Sequence, residues 1–190
     1  MGRPSQKEGI LAAALGCFAE LGYDATRVKH IAVRAGVAES ALYRHYPGKE
    51  AIAHELYADH LGRYSAALEA IAGDGVDPVS QLGAVVDEVL AAYRRQPEAF
   101  TFTLLNTASV PLSLPPGTRF PLEIVEDVIR RGQRAGVVRA GAPNLLAAIF
   151  FGCLLRPLIV ATLSPALDLV DTRHDAVLRD AALSAVTRSS

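Results

Sequence analysis

The stretch VRAGVAESALYRHYPGKEAI, Val33 to Ile52, decides how the chain is read. Gly36 stands where a left-handed helix C-cap is needed. Ahead of it, Thr26 is an N-cap residue type, and Val28, Ile31, Ala32 and Ala35 recur at i, i+3, i+4, i+7, which predicts a helix of barely two turns. Behind it, Val37 and Leu42 are placed as a hydrophobic staple around a helix capped near Ala38, and that helix must stop before Pro47. Isolated helices below roughly 12–15 residues are marginal in water. The pair therefore needs packing on its neighbours. Two short helices joined by a glycine turn and carried on a third form a helix-turn-helix, whose second member can enter the DNA major groove.

Local charge agrees with that reading. From Thr26 to Lys49 the basic residues are Arg27, Lys29, Arg34, Arg44 and Lys49, and the only acid is Glu39. Projected on a helix, Leu42 and Tyr46 turn inward with Val37, which leaves Glu39, Ser40, Ala41, Tyr43, Arg44 and His45 outward or sideways. An arginine fork, hydroxyls and a carboxylate are the groups that grip phosphates and read base edges. Taken singly, Tyr43 can be a core edge, Arg44 a partner of Glu39 and His45 an ordinary surface residue; their combination after the glycine turn favours DNA.

Outward from this motif the chain reads as helix after helix. Ser5 with Glu8 has the form of a capping box, opening a helix to Leu21. Lys49 opens a long helix to about Ala72, and Asp77 with Pro78 opens another to Gln96. Pro97 restarts a helix to about Ala108, and the proline-dense Ser109 to Pro121 reads as loop. Leu122 to Ala135 is amphipathic, Pro143 to Leu163 is apolar almost throughout, and Asp171 caps a last helix from Thr172 to about Thr187. Nothing alternates with period two for long enough to build a sheet. The fold class expected is all-α, with a helix-turn-helix domain over residues 1–48 and a larger helical domain over 49–190.

Composition narrows the function classes. The chain has 190 residues, 51% of them apolar, and a net charge of −1, so neither disorder nor a generally basic nucleic-acid binder is implied. Cys17 and Cys153 form no disulfide framework or zinc spacing, and MGRPSQKEGI lacks the apolar run of a signal peptide, so a reducing, cytoplasmic setting is expected. Asn144 to Leu163 has the length of a membrane span, but Arg156 and Pro157 lie inside it, so it is read as a helix buried in a core or between subunits. There is no serine nucleophile elbow, HExxH, phosphate-cradling glycine loop or Cys/His constellation, so enzyme activity, a metal and a cofactor are not expected.

Phe18 to Ile52, FAELGYDATRVKHIAVRAGVAESALYRHYPGKEAI, resembles the DNA-binding domain of TetR-family transcriptional regulators in its Gly-Tyr, its IAxxAGV turn, its LYxHY segment and its closing KE. The resemblance implies that Thr26, Tyr43, His45 and Lys49 meet phosphates and that Glu39, Ser40, Ala41 and Arg44 face bases or the groove wall. It also implies that Gly36 forms the turn and Arg27 flanks the backbone. Ala38 departs from the serine or threonine cap common in the family. Arg3 is either a minor-groove arm or part of a frayed end.

The same resemblance implies a homodimer on operator DNA, paired through the last two long helices, and an effector site in the larger domain. The mixture of aromatics, hydroxyls and an amide suits a small organic effector. The candidates are Tyr93, Phe100, Thr103, Asn106, Thr107, Phe120, Phe150 and Arg156, although the same residues also suit a packed core. Arg156 can bind an anionic effector, pair with Asp127 or Asp168, or reach the dimer edge. A palindrome-binding repressor released by its effector is the expected function. An activator and a DNA-binding protein without an effector remain alternatives.

Overall fold

The computed structural model describes residues 5–73, 75–105 and 117–188. Asn106 and Thr107, offered as effector contacts, and Arg3 lie outside the described residues, as do residues 109–116 of the expected loop. Two compact units emerge: residues 1–62 with 96–116, and residues 63–95 with 117–190. The division falls inside the fourth helix, not at residue 48, and a segment from the middle of the chain belongs with the first unit.

In the first unit α1 runs Gln6–Leu21, α2 Val28–Ala35 and α3 Glu39–His45, and α4 starts at Lys49. The capping box is present: Glu8 N–H donates to Ser5 Oγ at 3.2 Å, and Ser5 N–H donates to the Glu8 carboxylate at 2.7 Å. Gly36 ends α2 at φ 67°, ψ 33°, a conformation that a Cβ would strain. Tyr46 is extended at φ −140°, ψ 132°, as the residue before a proline prefers, and this stops α3. The N-cap of α2 is Arg27, one residue later than expected at Thr26.

The apolar stripes of these helices meet in one core. Ile10, Ala14 and Phe18 of α1 pack with Ile31, Leu42, Tyr46, Ile52 and Leu56. Each large side chain removed from water there contributes roughly 1.5–3 kcal/mol, which holds helices too short to persist alone. Of the helix expected from Pro97 to Ala108, the described residues form a single α turn, α6 at Pro97–Phe100, followed by a π-helical turn at Thr101–Leu105. Phe102 from that turn stacks on Phe18 with centroids 5.3 Å apart, inside the same core.

In the second unit the rest of α4, which ends at Ile71, is joined by α5 at Pro78–Arg95, α7 at Pro121–Arg134, α8 at Pro143–Leu163 and α9 at Asp175–Ser184. Polar knots fix the ends. The Gln81 amide donates to Ile71 O and Gly73 O, and Arg131 donates to Ala72 O and to Gln81 Oε1. Arg179 donates to both Asp87 oxygens and to Gly83 O, closing α9 onto α5 where Gly83 leaves room. The last helix begins as a 3-10 turn at Thr172–His174, capped by Asp171 as expected. Among the described residues the only β pairing is an isolated bridge between Val138 and Thr187, so the fold is all-α.

Helix α8 is long and apolar enough to cross a membrane by length and composition, yet its inner face is core: Leu146, Ala147, Phe150, Leu154 and Leu158 are buried. Arg156 is exposed on α8, and the two acids offered as its partners are engaged elsewhere, Asp127 with Arg119 and Asp168 with Arg173.

Candidate DNA-binding site

The second helix of the motif presents one polar face. Leu42 and Tyr46 are fully or nearly buried, as projected, and Val37 is half-buried. Glu39, Ser40, Tyr43, Arg44 and His45 are exposed, with Tyr43 at 52%. No hydrogen-bond or ion-pair partner for the Arg44 guanidinium is present among the described residues, so Glu39 does not neutralise it. The His45 Nε2 pairs with Gln6 Oε1 at 3.1 Å, which ties the end of α3 to the start of α1. Arg27 is exposed at the head of α2, its N–H donated to His30 Nδ1 at 3.2 Å.

Two nearby acids are paired with neighbours. Glu55 pairs with Lys7 at 2.8 Å and accepts from the Tyr46 hydroxyl at 3.0 Å; Glu20 pairs with Arg34 at 2.7 Å. Burial, then the bond to Glu55, pushes the Tyr46 phenol well up, so it stays a neutral donor. Lys29, which entered the sequence reading only as charge, is exposed on α2 beside the motif.

Two expected contacts, at Thr26 and Ala41, need correction, and the Lys49 side chain is engaged within the protein. Thr26 is fully buried: its hydroxyl donates to Gly22 O at 2.7 Å and Cys17 O at 3.1 Å, and its N–H to Gly22 O and Tyr23 O. Neither group is available to a phosphate. Ala41 is 7% exposed and packs inward instead of facing the groove. Lys49 turns its ammonium onto the α1–α2 loop, donating to Tyr23 O at 2.9 Å, Thr26 O at 3.0 Å and Asp24 O at 3.2 Å, with the Tyr23 ring centroid 4.4 Å away. The carbonyls that receive these donors carry no signature in the sequence; only the aromatic Tyr23 did.

The effector candidates are dispersed. Phe100 and Thr103 lie buried in the first unit; Tyr93, Phe120, Phe150 and Arg156 belong to the second. Phe150 is wholly buried in edge-to-face contact with Phe151, 5.8 Å between centroids, which makes it a core residue. Phe120 is 46% exposed at the head of α7. Thr103 differs: its buried hydroxyl has no hydrogen-bond partner among the described residues. Cys17 is buried and burial pushes its thiol up, Arg34 opposing, which leaves it unreactive.

Comparison with known proteins places this geometry. The family profile described as bacterial regulatory proteins, tetR family, matches residues 10–56, the span from α1 into α4. The HTH-type transcriptional regulator YvkB of Bacillus subtilis is 25% identical over 80% of this chain and 80% of its own. RutR of Escherichia coli K12, also an HTH-type transcriptional regulator, is 31% identical over 57% of this chain, an alignment spanning 51% of that protein. Among solved structures, SmeT, the repressor of the Stenotrophomonas maltophilia multidrug efflux pump SmeDEF, is 28% identical with a TM-score of 0.75, covering 98% of this chain and 92% of its own. SmeT is also known in complex with triclosan, a structure 26% identical with a TM-score of 0.73 that covers 98% of this chain and 94% of that one. A helix-turn-helix matched at its motif and a helical body matched over nearly its whole length support a TetR-family transcriptional regulator.

Proposed function

We propose that the protein is a cytoplasmic, homodimeric repressor that binds a palindromic operator through α3 and is released by a small organic effector. The observation that carries the reading is the exposed face of α3, where Tyr43 and an Arg44 without a partner among the described residues stand beside Glu39, Ser40 and His45, with Leu42 and Tyr46 buried behind them. Phosphate contacts come from Tyr43, His45 and Arg27; Arg44, with Glu39 and Ser40, faces base edges, where a bidentate arginine discriminates best.

Pairing is supported by α8 and α9. Leu145, Ile149, Gly152, Arg156 and Leu163 are all exposed on α8, at the 4, 3, 4 and 7 spacing of a helix seam, and Val177, Ala181 and Ser184 continue the exposed face on α9. Leucines this exposed need a partner, and a two-fold copy of the same face supplies one. An effector is supported by the triclosan complex of SmeT and by the Thr103 hydroxyl, a buried donor without a hydrogen-bond partner among the described residues. Release is a population shift: the effector favours a conformation of the pair whose recognition helices no longer match successive grooves.

Selection of duplexes from a random-sequence pool tests the reading. The wild-type chain is expected to enrich a palindrome, and Arg44→Ala to weaken binding to it by about 1–3 kcal/mol while relaxing preference at one base per half-site. Equal binding to every duplex, or an Arg44→Ala variant with unchanged preference, contradicts it.

A further inference from the structure

Two charges on the face proposed for pairing have no counter-charge among the described residues of their own chain. Helix α9 divides into an inner and an outer stripe. Leu178 and Ala182 are buried, and Asp175 and Arg179 on the same side clamp α9 to Arg94 and Asp87 of α5. Val177, Asp180, Ala181 and Ser184, spaced i, i+3, i+4 and i+7, are exposed on the other side. Asp180 therefore belongs to the outward stripe. On α8 the outward row through Leu145, Ile149 and Gly152 carries Arg156 one turn further on.

No hydrogen-bond or ion-pair partner for either Arg156 or Asp180 is present among the described residues. No residue three or four positions from either one carries the opposite charge. The other acids of the second unit are taken up by arginines, as Asp87 is by Arg179, or by backbone N–H groups, as Asp77 is at the head of α5; of those described, only Glu69 on α4 is otherwise unengaged. A second copy laid over this face removes its water, and a charge enclosed there without a counter-charge opposes association. In a two-fold interface a residue meets its own copy only on the axis; elsewhere residue i meets j, and j meets i. Arg156 against itself would set two cations together. Arg156 against Asp180 satisfies both charges, and symmetry makes the contact twice. Gly152, with open space where a Cβ would stand, lets a partner helix come close beside Arg156.

We propose that the homodimer is held in register by two symmetry-related ion pairs, each joining Arg156 of one protomer to Asp180 of the partner subunit. The proposal rests on the reading of α8 and α9 as the pairing face. It also gives the pairing selectivity, because an apolar row accepts many apolar partners, whereas crossed charges accept one offset and orientation.

The test follows the monomer–dimer equilibrium of the full chain by sedimentation at low and high salt. Arg156→Asp and Asp180→Arg, each alone, set like charges together at both contacts and are expected to weaken dimerisation by about tenfold or more, with helicity unchanged. Both substitutions in one chain are expected to restore the dimer. Mixing the two single variants separates a pair between chains from a pair within one. A mixed dimer brings together one protomer with acids at both positions and one with arginines at both, so both ion pairs re-form and the mixture is expected to dimerise close to wild type. A pair formed inside one chain would be restored in the double variant and not in the mixture.

Single variants that dimerise as tightly as wild type overturn the proposal, as does a double variant or a mixture no better paired than the singles. Should either reversal fail to fold, Arg156→Gln and Asp180→Asn decide: each is expected to weaken the dimer and flatten its salt dependence, and unchanged affinity with unchanged salt dependence overturns the proposal. A wild-type chain that is monomeric at every concentration defeats the pairing reading itself, whereas a wild-type dimer indifferent to both reversals defeats the ion pairs alone.

Discussion

Thr26 shows how far a single residue can be read from sequence. A threonine ahead of a periodic apolar run marks a helix start, but the α2 N-cap is Arg27, one residue on, and the Thr26 hydroxyl bonds back across nine residues to Cys17 O. That partner is a backbone carbonyl near the end of α1, and no residue type announces it. Lys49 is the same case: its charge is legible, and its three carbonyl partners are not. Arg44 and Tyr43 were legible because exposure follows from helical projection once Leu42 is known to be buried. Thr26→Val keeps the shape and removes the donor, so it is expected to destabilise the protein by about 1–2 kcal/mol, read from the urea midpoint, while Thr26→Ser retains most of the stability. Equal midpoints for Thr26→Val and wild type would show that the buried bonds contribute nothing.

At the scale of elements, the helix ends were legible and the helix interiors less so. Ser5, Gly36, Pro47, Asp77 and Gly136 act locally, through caps and allowed backbone angles, and the structure ends or starts helices at each. The π turn at Thr101–Leu105 had no such mark, because it accompanies Phe102 in a core built from α1, α2 and α4. Helix α3 carries its own imperfection. Ala38 holds N-cap geometry at φ −70°, ψ 147°, without a side-chain acceptor for the first-turn amides. Ala38→Ser supplies one and is expected to raise unfolding stability by about 1 kcal/mol. A stability equal to or below wild type would show that those amides are already satisfied.

For the whole molecule, the sequence indicated helices throughout and a helix-turn-helix first, but not that the segment after α5 joins the first unit, since that assignment depends on packing between residues distant in sequence. The apolar run of α8 was legible as a helix needing cover on more than one side; the structure divides it into an inner core face and an outer row through Leu145 and Ile149. In the proposed homodimer, a glutamate at position 149 would face its own copy across the two-fold axis. Ile149→Glu is therefore expected to leave helicity intact and convert the protein to a monomer in sedimentation, with operator binding abolished along with the pairing.

The most direct measurement is a hydroxyl-radical footprint of the wild-type protein on the duplex it enriches. Two copies of α3 reading successive turns of one face predict symmetric protections about 34–36 Å apart, or at a longer two-fold spacing, absent with Ile149→Glu. A single asymmetric protection by a monomer, or uniform protection along any duplex, would contradict the account.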